Sequence, residues 1–311
     1  MAHDKLRSLK EVVFGIPDGT HIALGGFAIA RNPIAAAHEL IRQGKKGLTI
    51  SQCIGGMDTD LLVGAGCVKE LIYGGGSLDR FGPIHNVNRA IASGSVIAKE
   101  YSGLSMAARY LAGSLGLPHI PLRSLLGSSL LESLLEFERE VEVGADPFTG
   151  ERVVLLRPLK PDYAIIHVPL ADTGGNTWIT GPRWDQEAAM AADHLVVLAE
   201  RIAEPGYAET HAETVIIPAC RVESVVHAPY GAHPTGVHGC YDYDADHLRL
   251  YVEHSRDPRA FEQYVARYVL GTADHSAYMQ LVGGLSLACR LQAQPLCGYN
   301  RLASGGQVTS T

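Results

Sequence analysis

No run in this 311-residue chain approaches the roughly 20 consecutive apolar residues that a membrane-spanning helix requires. The amino-terminal stretch MAHDKLRSLKEVVFG also lacks the apolar core of a secretory signal. A cytoplasmic protein without a membrane partner is the expectation. Basic runs are equally scarce. The formal net charge is −7, so the chain does not offer the broad positive surface that a nucleic-acid partner would demand. An anionic substrate must then meet local positive groups rather than a global field. Six cysteines are spread from Cys53 to Cys297 with no Cys-x-x-Cys pair, which argues against a disulfide framework and fits reduced thiols. The 14 histidines include no His-Glu-x-x-His spacing. His233 and His238, five apart in a Gly/Pro-rich segment, come nearest to a ligand pair, and no metal is expected.

Several catalytic signatures are missing as well. No glycine loop is followed by Gly-Lys-Ser/Thr, which removes the P-loop, and none fits the Gly-x-Gly-x-x-Gly dinucleotide fingerprint. Without Gly-x-Ser-x-Gly there is no nucleophile elbow for a serine hydrolase.

What the chain does have is a core's worth of apolar residues, 46% of the total, in short runs that alternate with helix-period segments. That alternation reads as βαβ units: an α/β fold with an open, largely parallel sheet and helices on both faces. Strands are expected at 20–24, 48–51, 70–73, 96–101, 163–168, 195–199, 214–218 and 222–227, with another after Pro118. Helices are expected at 34–42, 58–63, 104–112 and 258–270, the first opened by Pro33. LESLLEFEREVEVGADPFTGER reads as a charged, exposed excursion near 131–156, and SGGQVTST as a frayed tail. The whole of 1–311 reads as one continuous domain.

Three glycine loops follow short apolar runs: Gly25-Gly26-Phe27, Gly74-Gly75-Gly76-Ser77 and Gly127-Ser128-Ser129. Glycine at a strand end permits positive φ and lets another molecule approach the main chain. In a parallel sheet such loops converge on one edge, where they could cradle an anionic or carbonyl-bearing ligand; three unrelated turns are the plainer alternative. Glu100, in SVIAKEYSG, could serve as general base or nucleophile at a strand end, or simply pair with Lys99. Arg31 could hold a substrate carboxylate with its planar fork, or stand solvated at a helix start.

HIALGGFAIARNP, SLGLPHIPLRSLLGSSLL and above all APYGAHPTGVHGCYDYD resemble the A-type subunit of glutaconate CoA-transferase and its relatives, the class I coenzyme A transferases. The likeness runs from about Leu6 through DHSAYMQLVGGL. It implies an open α/β sheet paired with a homologous B-type subunit in a hetero-oligomer, with coenzyme A arriving as a thioester. It implies that a glutamate of the B-type partner attacks that thioester and that CoA passes to a second carboxylic acid. It gives the amides of Gly25, Gly26 and Phe27 the role of stabilising the thioester oxyanion. The loops holding Gly76, Ser77, Gly127, Ser128 and Ser129 would shape the acyl pocket, and Arg31 would meet a distal carboxylate. YGGGSLD and the Ala-Lys-Glu setting of Glu100 are similar to a second branch, steroid ring-opening CoA-thioester hydrolases, where a glutamate of the A-type chain is the catalytic group. A related branch decarboxylates its thioester. The C-terminal half, with APYGAHP and YDYD, sides with the transferases.

Overall fold

The computed structural model describes residues 4–137 and 139–294; the tail SGGQVTST lies outside them. Its strands are β1 (His21–Leu24), β2 (Leu48–Gln52), β3 (Val68–Tyr73), β4 (Ile97–Glu100), β5 (Ile120–Leu122), β6 (Val141–Ala145), β7 (Arg152–Leu156), β8 (Tyr163–Ala171), β9 (Thr177–Trp178), β10 (His194–Ile202) and β11 (Ser224–His227). Seven of them form a parallel sheet in the order β11-β10-β8-β1-β2-β3-β4, and β9 folds back antiparallel on β8. The fold class is that expected.

Alternation along the strands divides the core into two. Ile22 and Leu24 point to one face, where helices Ile34–Arg42, Met57–Gly64 and Ala245–Ser255 cover them; Ala23 points to the other, under Gly103–Leu115 and Gln186–Ala191. Burial on both faces explains why the central strands read as continuous apolar runs. The chain leaves β1 for β2 on one side, while β8 pairs with β1 on the other. The carboxyl end of β1 is therefore a topological switch point, where open α/β sheets hold ligands.

Two expectations are corrected. Residues 131–156 are not an exposed excursion. They fold as helix Ser129–Phe137, with Leu131 and Leu134 buried, and as the β6–β7 hairpin, which with β5 makes a second, antiparallel sheet. The many charges of the segment conceal apolar residues at helical and alternating spacing. Nor is 214–218 a strand. Ile217 makes only an isolated bridge to Thr177, because β9 offers two residues and Pro218 has no amide to extend the ladder.

Candidate functional site

The loop after β1 is the most constrained piece of the carboxyl edge. Gly26 has φ +82°, Ala28 +51° and Arg31 +56°. Left-handed backbone in non-glycine residues costs about 1–3 kcal/mol each and persists only where the surroundings enforce it. The enforcement is visible. Phe27 and Ala30 exchange amide–carbonyl hydrogen bonds of 2.9 and 2.8 Å, closing a tight turn. The Arg31 guanidinium, buried at 3% exposure, donates to both Asp185 oxygens at 2.9 Å, and to the carbonyls of His167 (3.0 Å) and Pro182 (2.7 Å). Asn32 donates to Asp58 (2.8 Å), which also receives Gln52 (3.0 Å). Burial lifts the Asp58 carboxyl to about 7 against those donors.

APYGAHPTG, prominent in the sequence but without an assigned role, braces the same loop from the other side. Gly236 donates to the Ile29 carbonyl (3.1 Å) and accepts from the Arg31 amide (2.9 Å), while Gly231 accepts from Ala35 (2.8 Å).

This geometry revises the role of residues 25–27. The Gly25 amide donates to the Ile165 carbonyl at 2.9 Å, Gly26 to the Asp185 carboxylate at 3.3 Å, and Phe27 to Ala30. All three amides are engaged within the chain. The glycines are there because their own chain presses on them: a Cβ on Gly25 would lie 2.8 Å from Asp185, and one on Gly26 2.7 Å from the Ala30 carbonyl. The amides of Ala28 and Ile29, at the tip of the turn, take no acceptor among the described residues. Phe27 stacks on Trp184 beside them, with ring centroids 4.6 Å apart.

Arg31 is likewise not a free clamp for a substrate carboxylate. Asp185 already fills its fork, and sequence reasoning missed that partner because it lies 154 residues away.

The second loop meets the first through a third that the sequence did not single out, Gly55-Gly56 after β2. Gly55 donates to Gly75 (2.9 Å) and accepts from the Ser77 amide (3.0 Å), and Gly74 donates to Cys53 (3.0 Å). A Cβ on Gly56 would collide with the Ala28 carbonyl, and one on Gly76 with Ile84. Backbone thus packs on backbone across three adjacent strand ends. The Ser77 hydroxyl accepts from the Asp79 amide at 2.9 Å, a local turn contact.

Glu100 ends β4 opposite Tyr73, exposed rather than buried, and Lys99 pairs with Glu70 at 2.9 Å.

Gly127-Ser128-Ser129 follows β5, so it does not rise from the parallel sheet. Ser128 donates to the Leu125 carbonyl (2.7 Å), Ser129 opens a helix, and Gly127, at φ +74°, has open space beside it. Ser124, between β5 and this loop, reaches the edge: its hydroxyl is 2.7 Å from that of Ser102, just past Glu100.

A cavity of about 1120 Å³ beside β11, lined by Ser8, Val226, Tyr230, His275 and Leu285 among others, contains none of the expected residues. Among the described residues no helix is long and apolar enough to cross a membrane. No group of three or more His, Cys, Asp or Glu among them could hold a metal ion.

Comparison with known proteins adds the family. A model described as coenzyme A transferase matches residues 7–228. The A-type subunit of glutaconate CoA-transferase from Acidaminococcus fermentans is 32% identical over 95% of this chain and 97% of its own. The crystal structure of that enzyme superposes with a TM-score of 0.89 at 30% identity, over 95% of this chain and 98% of the matched one. The A-type subunit of 3-oxoadipate CoA-transferase from Pseudomonas knackmussii is 33% identical over 88% of this chain and 96% of its own. A cholesterol ring-cleaving hydrolase subunit of Rhodococcus jostii is 32% identical over 87% and 94%.

Proposed function

This chain belongs to the coenzyme A transferase family, and from that premise we propose that it is the A-type half of a two-subunit, cytoplasmic enzyme. The enzyme moves CoA between a dicarboxylyl-CoA and a second carboxylic acid. A carboxylate on the B-type partner attacks the thioester carbonyl and expels CoA thiolate, leaving a mixed anhydride. The thiolate then attacks the partner's own acyl carbon, giving an enzyme thioester and releasing the first acid. The second acid reverses the sequence and leaves with CoA.

The contribution of this chain is electrostatic and positional. Each tetrahedral intermediate carries an oxyanion, and pre-set amide donors stabilise it without reorganising. The single observation that carries the proposal is the braced turn at the switch point, whose Ala28 and Ile29 amides have no acceptor among the described residues. These two amides take the place of residues 25–27 as oxyanion donors. With Arg31 committed to Asp185, the dicarboxylyl substrate is supported by the transferase relatives rather than by that side chain. Glu100, at the exposed end of the outermost strand, is left to line the edge.

The test uses the chain co-purified with its B-type partner. Incubation with acyl-CoA followed by borohydride reduction is expected to label a glutamate of that partner, and labelled CoA should exchange between acids. Thioester hydrolysis without exchange would overturn the proposal.

A further inference from the structure

A second polar cavity lies at the opposite end of the sheet from the glycine loops. It measures about 590 Å³ and opens where His21 starts β1 and Thr49 and Glu70 stand in β2 and β3. Its lining includes four bases, Lys99, Arg109, Arg157 and Lys160, against two acids, Glu70 and Glu140. The acids are matched: Lys99 pairs with Glu70 at 2.9 Å, and Arg109 pairs with Glu140. Arg157 and Lys160, both exposed, bring two further positive charges to the cavity, in a chain whose net charge is −7.

Arg109 is the built part of the site. It is 0% exposed; its Nε donates to the Arg157 carbonyl at 2.9 Å, and its guanidinium lies over the Tyr101 ring with 4.4 Å to the centroid. Its Nη1 has no hydrogen-bond partner among the described residues. His21, its Nε2 2.8 Å from the Ser51 hydroxyl, completes the wall without adding charge near neutrality, since burial lowers its ring to about 4.

We propose that this cavity binds a small dianion, held by Arg157 and Lys160 at the mouth, with Arg109 fixing the Arg157 backbone from within. A dicarboxylate and a phosphate share that chemistry, and both match the forked and point-charge donors present. The site is separate from the reaction proposed above and stands without it.

Titration calorimetry of the full 311-residue chain with inorganic phosphate, glutarate and the monoanion butyrate decides the matter. Saturable binding of phosphate or glutarate, with butyrate at least tenfold weaker, is expected, and which dianion binds names the class. The double variant Arg157→Ala/Lys160→Ala, at exposed positions, should weaken that binding at least tenfold. Arg109→Lys, which keeps the charge but loses the fork, should also weaken it. If Arg109→Lys fails to fold, the double variant decides alone. No saturable dianion binding, or equal binding by the double variant, would overturn the proposal.

Discussion

At the residue scale, Arg31 and Gly26 separate a scaffold role from a substrate role. Removing the Arg31 guanidinium leaves Asp185 buried without its cation, so Arg31→Ala is expected to cost about 3–5 kcal/mol of stability. Chemical denaturation measures this. A substrate clamp would behave differently, raising KM for dicarboxylyl-CoA while stability stayed unchanged. Gly26→Ala should destabilise by roughly 1–3 kcal/mol, since the new Cβ meets the Ala30 carbonyl and the backbone sits at φ +82°. An alanine variant as stable and as active as the parent would contradict the account of the turn. Gly26 announced itself in the sequence as a special backbone position. What braces the turn around it did not, because Asp185 and Gly236 arrive from far along the chain.

The element scale concerns the row of strand ends. β2 and β3 deliver loops that hydrogen-bond to one another through Gly55, and Gly56 packs that pair against the Ala28 carbonyl of the β1 loop. β4 ends in Glu100 at the rim, joined by the Tyr101 amide to the Tyr73 carbonyl at 2.8 Å. If transfer runs through the partner's carboxylate, Glu100→Gln should reduce CoA exchange less than tenfold. If Glu100 were itself the base or nucleophile, the same change would lower turnover by about 10²-fold or more; steady-state exchange kinetics distinguish the two. The sequence made this row partly legible. Runs of β-branched and aliphatic residues marked these three parallel strands correctly, to within a residue or two, and glycines marked the ends of the first and third. The Gly127 loop misled because β5 also is a short apolar run, and local pattern says nothing about which sheet a strand joins. Helix His85–Ser93 and the brace formed by residues 228–236 went unread for a related reason: their partners are long-range.

For the whole molecule, buried and half-buried histidines set the acid limit. Burial lowers His21 and His275 to about 4 and His247 to about 3, and holds His38 well below the ordinary value. An unfolded histidine takes its proton near pH 6.5. Between 6.5 and 4 the unfolded chain therefore binds protons that the folded chain refuses, and stability falls as pH drops through that window. Burial raises Asp58 to about 7 and raises Asp60 as well, and these carboxyls work the other way; they are two groups against four. The thermal midpoint should fall steadily from pH 6.5 to 4, and a flat or rising profile would contradict this balance. None of it could be read from the 14 histidines as a count, since the sequence does not say which are enclosed.

The turn at the switch point joins the three scales, and one substitution tests it most directly. Replacing Ile29 by its α-hydroxy acid converts the Ala28–Ile29 amide to an ester and deletes a single donor while leaving every side chain in place. Assayed with the B-type partner present, the account predicts a fall in kcat of about 10²–10³-fold with KM nearly unchanged. A kcat equal to that of the parent would contradict it.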